Sequence, residues 1–144
     1  MKTCRDLMTA DPVCCLPTNK VKKAARKMKQ HNVGSIPVID NKETRQLIGI
    51  ITDRDLAMKV IGKGRKVKAT KVKDVMSRKV VTCNPDDTVQ QAFDAMSANQ
   101  VRRIVIVDEV NSVLGIISQA DVATRISQPD ATAEVLKDIS QPKP

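Results

Sequence analysis

The sequence contains a tandem repeat, and this repeat constrains the fold more than any other feature. Three segments of the first half recur in the second half: residues 6–9 as 74–77, residues 17–28 as 85–96, and residues 47–55 as 113–121. The first two pairs are offset by 68 positions and the third by 66. The two-residue difference falls in a polar turn, where changes in length are tolerated. A chain of 144 residues built this way is expected to contain two copies of one fold.

Both copies show the same pattern of secondary structure. Apolar side chains at helical spacing predict one amphipathic helix in each copy, carried by Val21, Ala24, Ala25 and Met28 and by Val89, Ala92, Phe93 and Met96. Two apolar strands joined by a polar turn follow, at 36–39 and 47–51 and again at 104–107 and 113–117. A second helix is predicted to begin at Thr52 and at Ser118. The sequence therefore predicts an α/β (α+β) fold with the order β-α-β-β-α, twice.

Basic residues are concentrated in the first half of the chain. Residues 1–73 contain 18 Lys or Arg against 6 Asp or Glu, whereas residues 74–144 contain 7 against 10. Much of this charge lies in two stretches, residues 20–29 and 63–73. These stretches are interpreted either as a solvated helix face with a flexible connector or as a surface for nucleic acid or another polyanion. Phe93 is the only aromatic residue, which excludes platforms that stack nucleobases.

The inventory of reactive side chains argues against catalysis and against a metal site. His31 is the only histidine, and the chain has neither an H-E-x-x-H motif nor paired C-x-x-C motifs nor a Walker loop. A hydrolase or phosphotransferase is therefore the weakest of the alternatives. The cysteines at positions 4, 14, 15 and 83 are predicted to be small buried hydrophobic residues. The first residues do not resemble a signal peptide, and no apolar run is long enough to span a bilayer, so the expected location is the cytoplasm.

Two short segments, Thr52-Asp53-Arg54-Asp55 and Ser118-Gln119-Ala120-Asp121, lie where a strand is predicted to end and a helix to begin. A hydroxyl residue followed three positions later by an acid is the pattern of a capping box, and capping alone explains either segment. The same helix start also offers N–H groups that can bind a phosphate. The carboxylate can accept hydrogen bonds from ribose hydroxyls. Both interpretations remain open at this point.

Over residues 3–127 the chain resembles a pair of cystathionine-β-synthase-type (CBS) domains. The resemblance rests on Asp-Leu-Met at 6–8, on 36–40 (Ile-Pro-Val-Ile-Asp), and on Gly-Ile-Ile-Thr-Asp-Arg-Asp at 49–55, with related segments in the second copy. It implies repeats at 1–62 and 74–127, a basic linker at 63–73, and a tail at 128–144 with a short helix. It also implies sheets packed together about a pseudo-twofold axis, and a non-catalytic regulatory module that binds an adenosyl ligand such as AMP, ADP, ATP or S-adenosylmethionine.

The resemblance further implies two ligand clefts, each shared between the repeats. One is formed by Ser118, Asp121, Arg102 and Arg103, with Thr9, Cys14 and Val33 beside the base; the other is formed by Thr52, Arg54 and Asp55, with Ser77, Thr82 and Val101. The hydroxyl residue would bind phosphate and the acid would bind ribose. No cofactor is expected beyond the ligand itself, and the partners are expected to be a second copy of the chain and a separate target protein.

The two clefts are not expected to bind equally well. Gly34 and Ser35 stand in the first copy where the second has Arg102 and Arg103, and Ala120 stands where the first has Arg54. Two arginines can make charge-assisted bonds to phosphate, although a solvated pair preceding a strand is the alternative interpretation. The cleft with Ser118 and Asp121 is therefore predicted to bind a nucleotide more tightly.

Overall fold

The computed structural model of the protein describes residues 2–121. Its elements in chain order are α1 (Cys4–Leu7), β1 (Thr9–Ala10), α2 (Val21–His31), β2 (Ser35–Ile39), β3 (Leu47–Thr52), α3 (Asp53–Asp55), a π-helix (Leu56–Ile61), α4 (Val72–Val75), β4 (Thr82–Cys83), α5 (Val89–Asn99), β5 (Arg103–Val107) and β6 (Val113–Ser118). These elements form two compact units. Within the described residues, unit 1 contains 2–11, 81–110 and 114–121, and unit 2 contains 12–80 and 111–113.

Unit 1 is built around a four-stranded sheet with the order β1-β6-β5-β4. Strand β1 runs antiparallel to β6, with Thr9 opposite Ile116, and β4 runs parallel to β5, with Thr82 opposite Val105. The core is formed by buried residues of α1, α5 and the two central strands: Cys4, Leu7, Ala92, Phe93, Met96, Ile104, Ile106 and Ile117. Central strands that are apolar on successive residues require this cover.

Unit 2 contains the antiparallel hairpin of β2 and β3, in which Ile36 lies opposite Ile51. Helix α2 packs its apolar side against the hairpin, and α4 and the π-helix contribute to the same core. The fully or nearly buried residues of this core are Cys15, Val21, Ala24, Met28, Ile36, Val38, Ile51, Val60, Val72, Val75 and Met76. None of the described helices is long and apolar enough to cross a membrane.

The compact units do not follow the repeats of the sequence, because the short segment that begins each repeat packs with the other repeat. Residues 3–11, which begin repeat 1, belong to unit 1, where Leu7 enters a core formed by repeat 2. Residues 71–79, which begin repeat 2, belong to unit 2, where Ser77 and Ile50 exchange two backbone hydrogen bonds of 2.9 Å. We call these two stretches the leading segments. Each unit is therefore completed by a piece of the other repeat.

The structure confirms the predicted helices and strands, with two corrections. The helix predicted to begin at Thr52 is α-helical only over Asp53–Asp55 and continues as a π-helix over Leu56–Ile61. Helices α2 and α5 and the two strand pairs lie where the periodicity predicts them. Ala25 was predicted to lie on the apolar stripe of α2 but is exposed, because only Val21, Ala24 and Met28 face the core. The short leading helices were not predicted, since four residues are too few to show a helical period. The predicted helices at 118–126 and 133–139 lie largely or wholly outside the described residues.

A glycine in each unit makes room for the leading segment. A Cβ atom at Gly49 would lie 2.9 Å from the carbonyl oxygen of Ser77 and 2.8 Å from the sulfur of Met76. We therefore expect Gly49→Ala to destabilise the protein by about 1–3 kcal/mol, the usual range for an overpacked site, measured by urea denaturation. Gly115→Ala is the matched control, because the three atoms nearest to a Cβ there all belong to the side chain of Met8, which can move at lower cost than a backbone carbonyl, and its loss should be smaller. Wild-type stability in Gly49→Ala would contradict the close approach.

Candidate functional site

The strand-to-helix turn of unit 2, here called the Thr52 site, is a capping box. The amide of Thr52 donates to Oδ2 of Asp55 over 3.0 Å, and the amide of Asp55 donates to Oγ1 of Thr52 over 3.0 Å. Both residues are half-buried, whereas Arg54 and Asp53 between them are exposed. This reciprocal bonding holds the hydroxyl and the carboxylate together at the start of a helix. The capping interpretation of this segment is thus confirmed, and a hydroxyl group and a carboxylate lie together at this turn.

The carboxylate of Asp55 has a second partner that sequence reasoning missed. Oδ1 of Asp55 lies 3.0 Å from Nζ of Lys59, and the same ammonium group donates to the carbonyl oxygen of Val75 over 3.1 Å. An acid followed by a lysine four positions later is the ordinary spacing of an ion pair on a helix, and that spacing was the available signal. Both oxygens of Asp55 are therefore engaged, and Lys59 links this site to a leading segment.

The corresponding turn of unit 1, here called the Ser118 site, has the same construction. The amide and the hydroxyl of Ser118 donate to Oδ2 of Asp121 over 2.9 and 3.1 Å, and the amide of Asp121 donates to Oγ of Ser118 over 3.3 Å. Residues 119–121 are helical, and Ser118 and Asp121 are half-buried. The repeat therefore reproduces not only the sequence pattern but also the hydrogen bonds.

A backbone bond in each unit ties the site to the end of the preceding helix. The amide of Gln119 donates to the carbonyl oxygen of Arg102 over 2.8 Å, and the amide of Asp53 donates to that of Gly34 over 2.9 Å. Helices α5 and α2 end at left-handed residues, Gln100 and Asn32, which turn the chain toward these contacts. As a result the backbone of Arg102 adjoins the Ser118 site, and the uncharged Gly34 occupies the same place beside the Thr52 site.

The remaining residues predicted for the clefts are divided between the units. Thr9 lies on β1 opposite Ile116, two residues before Ser118, and Ser77 is paired with Ile50, two residues before Thr52. Val101 precedes Arg102 in unit 1, and Val33, which is 38% exposed, precedes Gly34 in unit 2. Cys14 belongs to unit 2 and Thr82 to unit 1. Roles beside the base for Cys14, Val33, Thr82 and Val101 stay predictions. Arg103 begins β5 and is half-buried.

The prediction that the cysteines are small buried residues is confirmed for Cys4 and Cys15, which are 0% and 1% exposed. A hydrogen bond with Cys83, together with burial, raises the pKa of the Cys4 thiol far above its usual value. Burial likewise raises the pKa of Cys15. A raised pKa keeps the thiol protonated and poorly nucleophilic. Cys14 and Cys83 are half-buried. The two buried thiols therefore have a role in packing.

Comparisons with known proteins identify the repeat. The family profile described as "CBS domain" matches residues 4–62 and again residues 72–128. The chain is 36% identical over 140 residues to the CBS domain-containing protein YhcV of Bacillus subtilis, a match that covers 97% of this chain and 96% of that protein. It is also 34% identical to an inosine-5'-monophosphate dehydrogenase of Methanocaldococcus jannaschii, but that match covers only 25% of the enzyme.

A solved structure supports the same conclusion. The CBS domain pair of protein MJ0100, in complex with 5'-methylthioadenosine and S-adenosyl-L-methionine, superposes with a TM-score of 0.76 at 26% identity. The superposition covers 85% of this chain and 94% of that one. Mixed sheets and helices in two sequence repeats are thus the shared architecture. The chain belongs to the CBS domain family and contains two copies of the domain.

Proposed function

We propose that the chain is a non-catalytic regulatory module that binds an adenosyl ligand at the Ser118 and Thr52 sites. The observation that carries this proposal is the repeated turn, in which a hydroxyl group, a carboxylate and the first amides of a helix are held together by reciprocal hydrogen bonds. Helix amides favour a phosphate or another anionic group, and the carboxylate can accept hydrogen bonds from ribose hydroxyls. The two adenosyl compounds bound by the MJ0100 domain pair support this ligand class.

Each proposed site combines both repeats within a single unit. At the Ser118 site, Thr9 from repeat 1 lies on the strand next to the one that carries Ser118. At the Thr52 site, Ser77 from repeat 2 pairs with the strand that carries Thr52. A ligand that contacts both strands would join a leading segment to its host repeat. This arrangement suits a sensor, because ligand binding would change the stability of a contact between repeats.

The proposal assigns no reaction to the chain. His31 is exposed at the end of α2, and in the described part of the chain no group of three or more His, Cys, Asp or Glu could hold a metal ion. The match to the dehydrogenase covers only a quarter of that enzyme. We infer that the regulated activity belongs to a separate protein and that the module acts in the cytoplasm as a homodimer. The exposed side chains of Met58 and Ile61, 57% and 74% accessible, support a further contact surface.

A thermal-shift panel of AMP, ATP, S-adenosylmethionine and NAD tests the proposal directly. A ligand present at about one hundred times its Kd stabilises the folded state by roughly 2.7 kcal/mol, which for a chain of this size raises Tm by on the order of 10 °C. We expect at least one of the four compounds to produce such a shift. The compound with the largest shift would identify the ligand.

The double variant Asp55→Ala, Asp121→Ala is the matched control for the panel. It should keep a cooperative melt, because losing a helix cap costs about 1 kcal/mol at each site. Its ligand-induced shift should fall by about half or more, because a tenfold weaker affinity leaves roughly 1.4 kcal/mol of stabilisation at the same ligand concentration. No shift with any adenosyl compound in a folded wild-type sample would refute the proposal. Release of ADP from ATP by the purified wild-type chain would instead restore the hydrolase alternative.

A further inference from the structure

Unit 2 joins the two basic stretches of the sequence into one surface. The backbone at Lys20 pairs with the backbone at Lys71, and the amides of Val21 and Val72 donate to the carbonyl oxygens of Thr70 and Asn19 over 3.0 and 2.8 Å. The stretch at the start of α2 is thereby placed directly beside the end of the 63–73 stretch. The basic surface, as we define it, consists of Lys20, Lys22, Lys23, Arg26, Lys27, Lys29, Lys63, Arg65, Lys66, Lys68, Lys71 and Lys73.

Most of these twelve cations are available to an external partner, although the ammonium group of Lys27 donates to the carbonyl oxygen of Cys14 over 2.6 Å. Ten of the twelve residues are exposed, and only Lys27 and Lys71 are half-buried. Among residues 2–121, none of the twelve forms an ion pair with a carboxylate. Unit 2 as a whole contains 18 Lys or Arg against 5 Asp or Glu, while the rest of the chain contains 7 against 11. The positive charge is therefore concentrated in unit 2, and twelve of its eighteen cations belong to the basic surface.

The apolar side of α2 packs against the core of unit 2 and cannot contact a partner. Val21, Ala24 and Met28 are buried in the core of unit 2, so the helix presents its charged side outward. Lys20, Lys22, Lys23, Arg26, Lys27 and Gln30 line a groove of about 440 Å³ along this side. With 11 residues, α2 is about 16 Å long, and cations on one side of it recur about every turn. The helix thus offers a row of positive charge on its exposed side, where Ala25 is the only aliphatic side chain.

We propose that the basic surface binds the phosphate backbone of double-stranded DNA, without reading its sequence. B-form DNA has one negative charge for about each 1.7 Å of its axis, so a 16 Å row of cations meets several phosphates at once. Its major groove, about 12 Å wide, admits an α-helix. The exposed side of α2 consists mainly of Lys and Arg, which contact phosphates and fix position but do not by themselves distinguish sequences.

Three other polyanions fit this surface less well. Single strands are held largely by stacking on aromatic rings, and Phe93, the only aromatic residue, is buried in unit 1. The deep and narrow major groove of duplex RNA does not admit a helix. A helix that binds a lipid surface inserts its apolar side, and that side of α2 is buried in the protein. Duplex DNA is therefore the partner that the geometry favours.

The experiment measures binding of the full-length chain to a fluorescent 20-base-pair duplex by anisotropy at several salt concentrations. We expect affinity to fall steeply with salt, with a slope of log K against log [salt] steeper than about −3, because several phosphate contacts release counterions. Two duplexes of unrelated sequence should bind equally. The same sequence as single-stranded DNA, the corresponding RNA duplex, and vesicles containing phosphatidylserine are measured in parallel and should bind more weakly.

Charge-reversal variants locate the surface. Lys22→Glu, Arg26→Glu and Lys29→Glu together change one row of exposed residues on α2 and should weaken binding at least tenfold, with a salt slope shallower by about 2.7. The triple change Lys63→Glu, Lys66→Glu and Lys68→Glu in the adjoining stretch should have a similar effect. The matched control is Lys2→Glu, Lys42→Glu and Lys79→Glu, which alters net charge equally at exposed positions outside the surface and should cost much less.

Each possible outcome bears on the inference. Equal losses in the control and in the surface triples would mean that net charge alone drives binding, and would overturn the assignment. Tighter binding to vesicles, RNA or single strands than to duplex DNA would overturn the choice of partner. The surface triples should retain the wild-type Tm and the adenosyl-induced shift, which separates this inference from the proposed regulatory function. No binding to the duplex at low salt would refute it outright.

Discussion

Replacing Leu7 by alanine is expected to destabilise unit 1 by about 2–5 kcal/mol, the range for deleting a large buried aliphatic side chain. Leu7 is 2% exposed and lies in a core otherwise formed mainly by residues of repeat 2, including Phe93 and Ile104. If each repeat were a self-contained domain, the lost stability would belong to repeat 1. The structure instead assigns it to the unit formed by β4, α5, β5 and β6.

Hydrogen exchange resolved by residue distinguishes these two assignments. In Leu7→Ala, the amides of Ile104, Ile106 and Met96 should lose protection, while those of Ile36 and Val38 should lose much less. Val75→Ala, at the equivalent position of the other leading segment, is the matched control and should show the reverse pattern, because Val75 lies in the core of unit 2. Loss of protection mainly in β2 and β3 of Leu7→Ala would contradict the exchange of leading segments.

Replacing Asp121 by alanine should weaken nucleotide binding at the Ser118 site at least tenfold, because hydrogen bonds to a charged acceptor contribute on the order of 1.5–3 kcal/mol. This site is expected to be the tighter one, since the backbone of Arg102 adjoins it and Arg103 follows in the chain, whereas Gly34 and Ser35 are the equivalent residues at the Thr52 site. Isothermal titration calorimetry with the compound selected by thermal shift measures the effect. Asp55→Ala should alter the tighter binding event far less.

Two controls separate a ribose contact from a capping effect. Asp121→Asn keeps an oxygen that can accept from the amide of Ser118, so it should restore the helix cap without restoring the charged acceptor for the ligand. Each variant should also retain the melting temperature of the ligand-free protein to within the loss expected for a cap. If Asp55→Ala abolishes the tighter event and Asp121→Ala leaves it unchanged, the order of the two sites is wrong.

The sequence predicted the secondary structure well because the repeat gave each pattern twice. The helical spacing of Val21, Ala24 and Met28 and the strand at 104–107 correspond to α2 and β5. The capping boxes at Thr52 and Ser118 were also predictable, since a hydroxyl residue and an acid three positions apart are neighbours by covalent geometry alone. Local patterns of this kind depend on neighbouring residues and not on contacts with distant segments.

Features that depend on distant segments could not be predicted in the same way. The pairing of Lys20 with Lys71 and of Ile50 with Ser77 joins residues far apart in the chain, and neither pair has a signature in the sequence. The ion pair between Asp55 and Lys59 is local and could have been found from its spacing. The carbonyl oxygens of Gly34 and Arg102 accept their hydrogen bonds because the chain turns at Asn32 and Gln100. These two residues end α2 and α5 in a left-handed conformation.

The exchange of leading segments also bears on how such a chain could have arisen. A single repeat standing alone would leave the core that receives Leu7 or Val75 incomplete, and would expose the apolar side of its own leading helix. Two separate single-repeat chains could bury both surfaces only by swapping these helices, which is domain swapping between protomers. Fusing two such protomers into one polypeptide removes the concentration dependence of the swap. We therefore expect a single repeat of this chain to be stable only as a swapped dimer, because its core would otherwise lack the leading helix of its sibling.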